Sequence, residues 1–402
     1  MGFQGQIVKE KGVLKRRGMK MVKKAFFFAY VFGVLFTLSS CNVGELFRFY
    51  THIQLLWKTE DTGGMITNNV LVTEDTVYAG IAGWEGWTES GLLAIDRKTG
   101  KFKWKVPVEL TDPYSRLPTP VYYDDGKDGI VLFGGGCHFL AVNAKTGEII
   151  WHFNGLSEEN KKKYGFKDEP WDWRYFEMTP VIYKDMVIAD TYGAGVFAFD
   201  IKTGKIIWWI EGVSGGTHRG DMLIRDGVVY KLGSWWASAI KAETGEIIWD
   251  GYIGFGGLES SPCMGDGKLY IGGGGAVGAV DMKTGDVVWE VKSVSRDGIG
   301  AGCLYYKGKV YIGSEKLWAF DAKTGELIWE APVGGIEAAP VEYEGKIYVL
   351  DNGCTLWCLD PDTGKIEWSE NIEQRVVYGD ITIKDDIFYA GGGRVWAFKV
   401  KQ

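Results

Sequence analysis

One phrase recurs through this chain and limits what it can build. Ala319-Phe320-Asp321-Ala322-Lys323-Thr324-Gly325-Glu326-Leu327-Ile328-Trp329 reads as a strand end, a turn and the start of a return strand. Asp opens the turn because its carboxylate accepts from the backbone two residues on, and Gly supplies the positive φ that closes a hairpin. The same phrase ends at Trp104, Trp151, Trp208, Trp249, Trp289, Trp329 and Trp368. Each Trp stands four residues after its Gly (100, 147, 204, 245, 285, 325 and 364). A spacing held this tightly sends each Trp to an equivalent pocket. Two turns depart at the Asp position, with Asn143 and Lys241. Asn still makes the turn with its side chain; Lys does not.

The Trp residues follow one another at intervals of 47, 57, 41, 40, 40 and 39, and each interval holds four strand-like runs. Four short strands per repeat, joined by Gly-rich turns, make one blade of a β-propeller. After Trp368 the chain supplies three strands and no further turn-and-Trp phrase, while Gln54-Leu55-Leu56-Trp57 is an outer strand with no blade before it. The N-terminal strand is therefore expected to complete the last blade and close an all-β ring of eight four-stranded antiparallel blades. All eight repeat Trp, from Trp57 to Trp368, read as structural.

Ala-x-Asp-x-x-Thr-Gly-x-x-x-Trp resembles the repeat of the quinoprotein-dehydrogenase-like propellers. That group includes pyrroloquinoline-quinone (PQQ) enzymes and outer-membrane assembly lipoproteins of the BamB type. The resemblance spans about residues 53–402 and speaks to fold, since one fold carries many functions. A WD-repeat propeller fits less well, because among the repeat Trp residues only Trp249 is followed by Asp. The larger PQQ enzymes of this group carry an adjacent Cys-Cys disulfide against the cofactor and a calcium site. No two Cys are adjacent here. The expectation is no cofactor, with PQQ and calcium as the alternative.

Before the propeller, Lys20, Lys23 and Lys24 precede an apolar run from Ala25 to Leu38, with Met19 or Met21 read as the start. Fourteen residues suit a signal-peptide core better than a membrane span. Leu38-Ser39-Ser40-Cys41 resembles a lipobox, so cleavage before Cys41 leaves its thiol to carry lipid. Residues 1–41 thus read as a leader, 42–52 as a tether and 53–402 as the propeller, outside the cytoplasm. The leader carries a net charge of +7 and the remainder −14. An acidic body argues against nucleic acid and anionic membrane surface as main partners. The body's five Cys read as small buried hydrophobes, with Cys263 and Cys303 at equivalent places on successive blades.

Two long loops interrupt the repeat. One runs from Ile81 to Gly91 and holds Trp84 and Trp87; the other, residues 154–176, holds Trp171, Trp173, Arg174 and Tyr175. Trp235 and Trp236 lie in the loop of blade four equivalent to the first. Loops between blades and loops from second to third strand share one face of a propeller. These aromatics therefore read as a partner or ligand surface, with sugar stacking or burial against the blades as the other readings. Glu177, His218, Arg219, Glu259 and Glu337 read as a channel mouth. The four His (52, 138, 152 and 218) show no metal-ligand spacing, and no metal or catalytic set is expected. The function expected from all this is a non-catalytic envelope lipoprotein that binds envelope proteins, those of a barrel-assembly complex among them. The alternatives are a PQQ-dependent oxidoreductase and a carbohydrate- or peptide-binding propeller.

Overall fold

The computed structural model describes residues 50–401 except 67, 84–88, 111–116, 168–174, 177, 192, 214–220, 234, 257–259, 297 and 373–378. Within them the strands form eight four-stranded antiparallel sheets, one per repeat. Blade six is representative: Cys303–Tyr306, Lys309–Gly313, Leu317–Asp321 and Leu327–Ala331 pair in chain order. In blade eight the N-terminal strand Ile53–Lys58 takes the outer place, pairing with Val395–Val400. It brings Trp57 opposite Ala397, the register the other blades reach by a hairpin. Strand addition of this kind closes the ring and leaves no unpaired blade at the join.

The recurring phrase is explained residue by residue. Gly325 takes φ 77° and Asp321 Oδ1 accepts from the Lys323 and Thr324 amides and from the Thr324 hydroxyl. Those bonds hold the Asp321 carboxyl below the ordinary range, the Thr324 amide contributing most. Asn143 Oδ1 accepts in the same way from Lys145 and Thr146. Lys241 cannot accept, and its turn rests on the Gly245 amide donating to the Lys241 carbonyl at 2.9 Å. The repeat Ala is the residue directly across the hairpin from the repeat Trp, as in Ala94 and Trp104, Ala279 and Trp289, or Ala319 and Trp329. A register shift follows that Ala in each of these hairpins, the mark of a β-bulge that increases local twist.

The equivalent pocket of each Trp is the turn of the next blade. The indole N–H of Trp57, Trp104, Trp151, Trp208, Trp249, Trp289 and Trp329 donates to a turn carbonyl of the following blade at 2.7–3.1 Å. The ring lies against the following turn's Gly: a Cβ on Gly325 would come within 2.8 Å of Trp289 Cδ2, and one on Gly364 within 2.5 Å of Trp329 Cε3. The Gly is thus required twice, by positive φ and by close approach. Trp368 differs, because the next blade's third and fourth strands are not joined by a turn. His52 stacks on its ring instead, at 4.8 Å between centroids and 6° between planes.

Between blades the packing is mainly apolar, and the largest cluster among the described residues joins blades two and three. Phe139, Phe153, Phe197 and Phe199 form its centre. The insertion after blade two adds a helix, α1 (Glu158–Tyr164), capped by Ser157 Oγ at one end and by Gly165 at φ 75° at the other. The sequence pattern did not announce this helix, and it is the only one among the described residues. It turns Tyr164, and with it Phe166, Tyr175 and Phe176, into the same cluster.

One register expectation is corrected. Cys263 pairs with Tyr270, whereas the residue of blade six that pairs with the corresponding Tyr311 is Leu304. Cys303 therefore corresponds to Pro262, because the first strand of blade six starts one residue early. The five body cysteines are all thiols.

Candidate functional site

The first strands of neighbouring blades lie side by side around the channel, as with Cys263–Gly265 beside Cys303–Tyr306 and Leu71–Val72 beside Thr382–Lys384. Just before these strands a ring of polar groups ties blade to blade. Asp380 Oδ1 accepts from the Ala339 amide, and the Asp380 amide donates to Asn69 Oδ1 at 2.8 Å. The Asp221 carboxyl is hydrogen-bonded to Thr179 and Ser261, and burial pushes its pKa up. The Cys303 amide donates to the Ser261 carbonyl at 3.1 Å. These side chains are engaged in holding the ring together.

The second strands run antiparallel to the first, so their C-terminal ends lie at the same end of the blades and lead into the face predicted from the loops. Segments leaving one blade for the next are tied to second-to-third-strand turns: Gly155 N to Cys137 O, Ile253 N to Trp235 O, Val294 N to Gly275 O and Ile372 N to Cys354 O, at 2.8–2.9 Å. These two loop classes therefore do share a face. Trp235 stands on it with 53% of its surface exposed and φ 62°. The residue in its place in blade five is Gly275, at φ 85° with the same carbonyl bond. A bulky residue in the left-handed region carries a penalty of about 1 kcal/mol or more. Trp236, next in line, meets Tyr252 edge-on at 5.7 Å, and Tyr252 is 64% exposed. An exposed aromatic cluster held at a strained position contributes little to the core.

The other predicted site residues fall differently. Tyr175 is buried, 3% exposed, inside the cluster between blades two and three. It packs as core and is not on the exposed surface, because the insertion folds back onto the blades. Glu337 is half-buried and accepts from Asn352 Nδ2 at 2.9 Å. Cys41, Trp84, Trp87, Trp171, Trp173, Arg174, Glu177, His218, Arg219 and Glu259 lie outside the described residues.

Two features were missed from the sequence. Lys231 and Asp190, from the second strands of blades four and three, form a fully buried ion pair at 2.9 Å. Lys231 Nζ also donates to Val213 O at 3.2 Å, while Asp190 Oδ2 has no hydrogen-bond partner among the described residues. Burial raises the Asp190 pKa to about 6 against the opposing charge of Lys231. No spacing rule links two residues on separate blades; an Asp and a Lys inside otherwise apolar second strands were the signal available. The second feature is a contact between His138 and His152, which the hairpin of blade two brings to 3.0 Å.

Among the described residues no three His, Cys, Asp or Glu side chains converge on one point. The inner-ring carboxylates Asp221 and Asp380 are already hydrogen-bonded.

Comparison with known proteins agrees with the architecture. The chain matches curated relatives over parts of their length only. It is 28% identical over 167 residues to the serine/threonine-protein kinase AfsK of Streptomyces griseus, 42% of this chain and 18% of the kinase. It is 26% identical over 235 residues to the dehydrogenase subunit of the quinone alcohol dehydrogenase of Komagataeibacter europaeus, 54% of this chain and 29% of that subunit. The chain thus spans less than a third of either relative. Among solved structures, BamB from Moraxella catarrhalis superposes with a TM-score of 0.64 at 20% identity, covering 88% of this chain and 99% of that one. Quinohemoprotein alcohol dehydrogenase from Comamonas testosteroni gives 0.66 at 13% identity, covering 86% and 76%. The family model described as outer membrane protein assembly factor BamB matches residues 91–274 and 273–402, and the chain belongs to that PQQ-like-repeat propeller family.

Proposed function

We propose that this chain is a non-catalytic scaffold of the cell envelope, lipid-anchored through Cys41 outside the cytoplasm, with residues 1–41 as leader and 42–52 as tether. Its partners are envelope proteins, and the family points to a barrel-assembly complex at the outer membrane. The observation that carries the reading is the family match across both halves of the propeller. The face bearing Trp235, Trp236 and Tyr252 supports it, since exposed aromatics are the usual anchors of protein interfaces. Trp84, Trp87, Trp171, Trp173 and Arg174 are assigned to the same surface by their loops. The inner-ring hydrogen bonds give the propeller a stiff frame on which such a surface is held in one shape.

The test is capture from the native envelope by chemical cross-linking. The full chain should retain a reproducible set of envelope proteins that includes a β-barrel assembly component. Replacing Trp171, Trp173 and Arg174, or Trp235 and Trp236, by Ala should abolish capture while the circular dichroism melt stays unchanged. Capture undiminished in both variants would overturn the proposal. Loss of binding to a glycan array in the same variants would move the aromatic face to carbohydrate.

A quinone oxidoreductase is the second reading, favoured by the likeness to two alcohol dehydrogenases. No chemistry is assigned to the described channel residues.

A further inference from the structure

We infer that His138 and His152 form a two-histidine binding site for a late first-row divalent cation, copper above zinc or nickel. This goes beyond the scaffold reading and does not depend on it. The two residues stand on the third and fourth strands of blade two, His138–Asn143 and Ile149–Asn154. The register sets His152 opposite Leu140 and His138 opposite Asn154, so the two imidazoles are diagonal neighbours on one face of the sheet. Fourteen residues of sequence separate them, and the hairpin removes that distance.

The geometry suits an ion. Nδ1 of His138 lies 3.0 Å from Nε2 of His152, with ring centroids 5.0 Å apart and planes inclined at 45°. Two imidazole nitrogens each about 2.0–2.1 Å from one cation, at angles between square and tetrahedral, stand about 2.8–3.4 Å apart. The pair is already at that separation. Its backbone is held from the other face, where Phe139 and Phe153, the alternating neighbours of the two His, are buried in the cluster between blades two and three. His138 is half-buried and His152 exposed, which leaves room for water to complete the coordination sphere.

A neutral imidazole carries one N–H, and a ring whose N–H faces its partner can take that proton on its other nitrogen through water as the cation enters, so that both facing nitrogens present lone pairs. Imidazole pairs select copper, nickel and zinc over calcium and magnesium, with copper strongest.

The experiment uses the mature chain without an affinity tag, stripped with chelator and titrated with copper(II) at pH 7.5 in a non-coordinating buffer. Calorimetry should show one saturable site. Electron paramagnetic resonance of the one-to-one complex should show coupling to two nitrogens. His138→Gln and His152→Gln should each weaken binding at least about tenfold, the loss that even an outer-shell partner can cause. His52→Gln should leave it unchanged. Absence of a saturable site, or wild-type affinity in both Gln variants, would overturn the proposal. So would a spectrum of the wild-type complex without two coupled nitrogens, a readout independent of how any variant folds.

Discussion

Trp329→Ala is the sharpest test of the claim that each repeat Trp locks its blade to the next. Trp329 is 8% exposed and rests against Gly364, with the Tyr311 ring at 5.7 Å. Its indole N–H donates to Pro361 O at 3.1 Å. A buried Trp removes about 150–250 Å² from water. At about 25 cal/mol/Å² that is about 4–6 kcal/mol, an upper figure because the unfolded chain already buries part of the area. Tyr311 Oη donates to the same Pro361 carbonyl at 3.0 Å, so that acceptor stays satisfied when the indole is removed. The loss is therefore mainly packing, and Trp→Ala should cost about 4 kcal/mol. Trp329→Phe, which keeps most of the ring area, should cost about 1–2 kcal/mol. Guanidinium denaturation followed by far-ultraviolet circular dichroism gives both values as midpoint shifts at unchanged slope. A loss under about 1 kcal/mol for the Ala variant, or equal losses for Ala and Phe, would refute the packing argument.

Other outcomes follow from the same structure. Gly325→Ala should destabilise more than Gly126→Ala in the same denaturation assay. Both positions have positive φ, but a Cβ at 325 meets Trp289 whereas one at 126 meets nothing within 4 Å. Asp190→Asn strands the Lys231 charge in the interior and should cost about 3–5 kcal/mol, while Asp190→Asn with Lys231→Met should recover most of it in thermal or chemical melts. His138 should titrate near pH 4 by proton NMR. Its folded pKa lies below the unfolded 6.5, so the unfolded chain binds more protons between those values. Its contribution is present above 6.5 and is lost as pH falls toward 4, and His138→Gln should flatten that part of the stability profile.

Much of the fold was legible because each element of the phrase has a local cause. The Asp and Gly make the turn, and the Trp spacing exposes the period. The stray strand around Trp57 shows how the ring closes. What the phrase did not reveal was the partner of each Trp, because the next blade's turn lies 32 to 50 residues on and only the ring geometry brings it near. The role of Ala was hidden for the same reason: its meaning is the Trp across the hairpin. The insertion after blade two resisted reading, since its aromatics lack a strand or helix period long enough to assign. Tyr175 consequently read as surface and packs as core. A start one residue early in blade six shifted Cys303 by one place, an error that single-sequence alignment of short strands cannot detect. The His138–His152 contact and the Asp190–Lys231 pair depend on register and on blade-to-blade packing, which no linear spacing encodes.

The proposed scaffold role has this propeller binding proteins without quinone chemistry. The most direct measurement is a titration of the chelator-stripped mature chain with PQQ and calcium, with dye-linked oxidation of alcohols and sugars followed in the same sample. The account predicts no saturable quinone binding and no dye reduction above the protein-free control. Saturable binding at one equivalent together with turnover of an alcohol or sugar would contradict it.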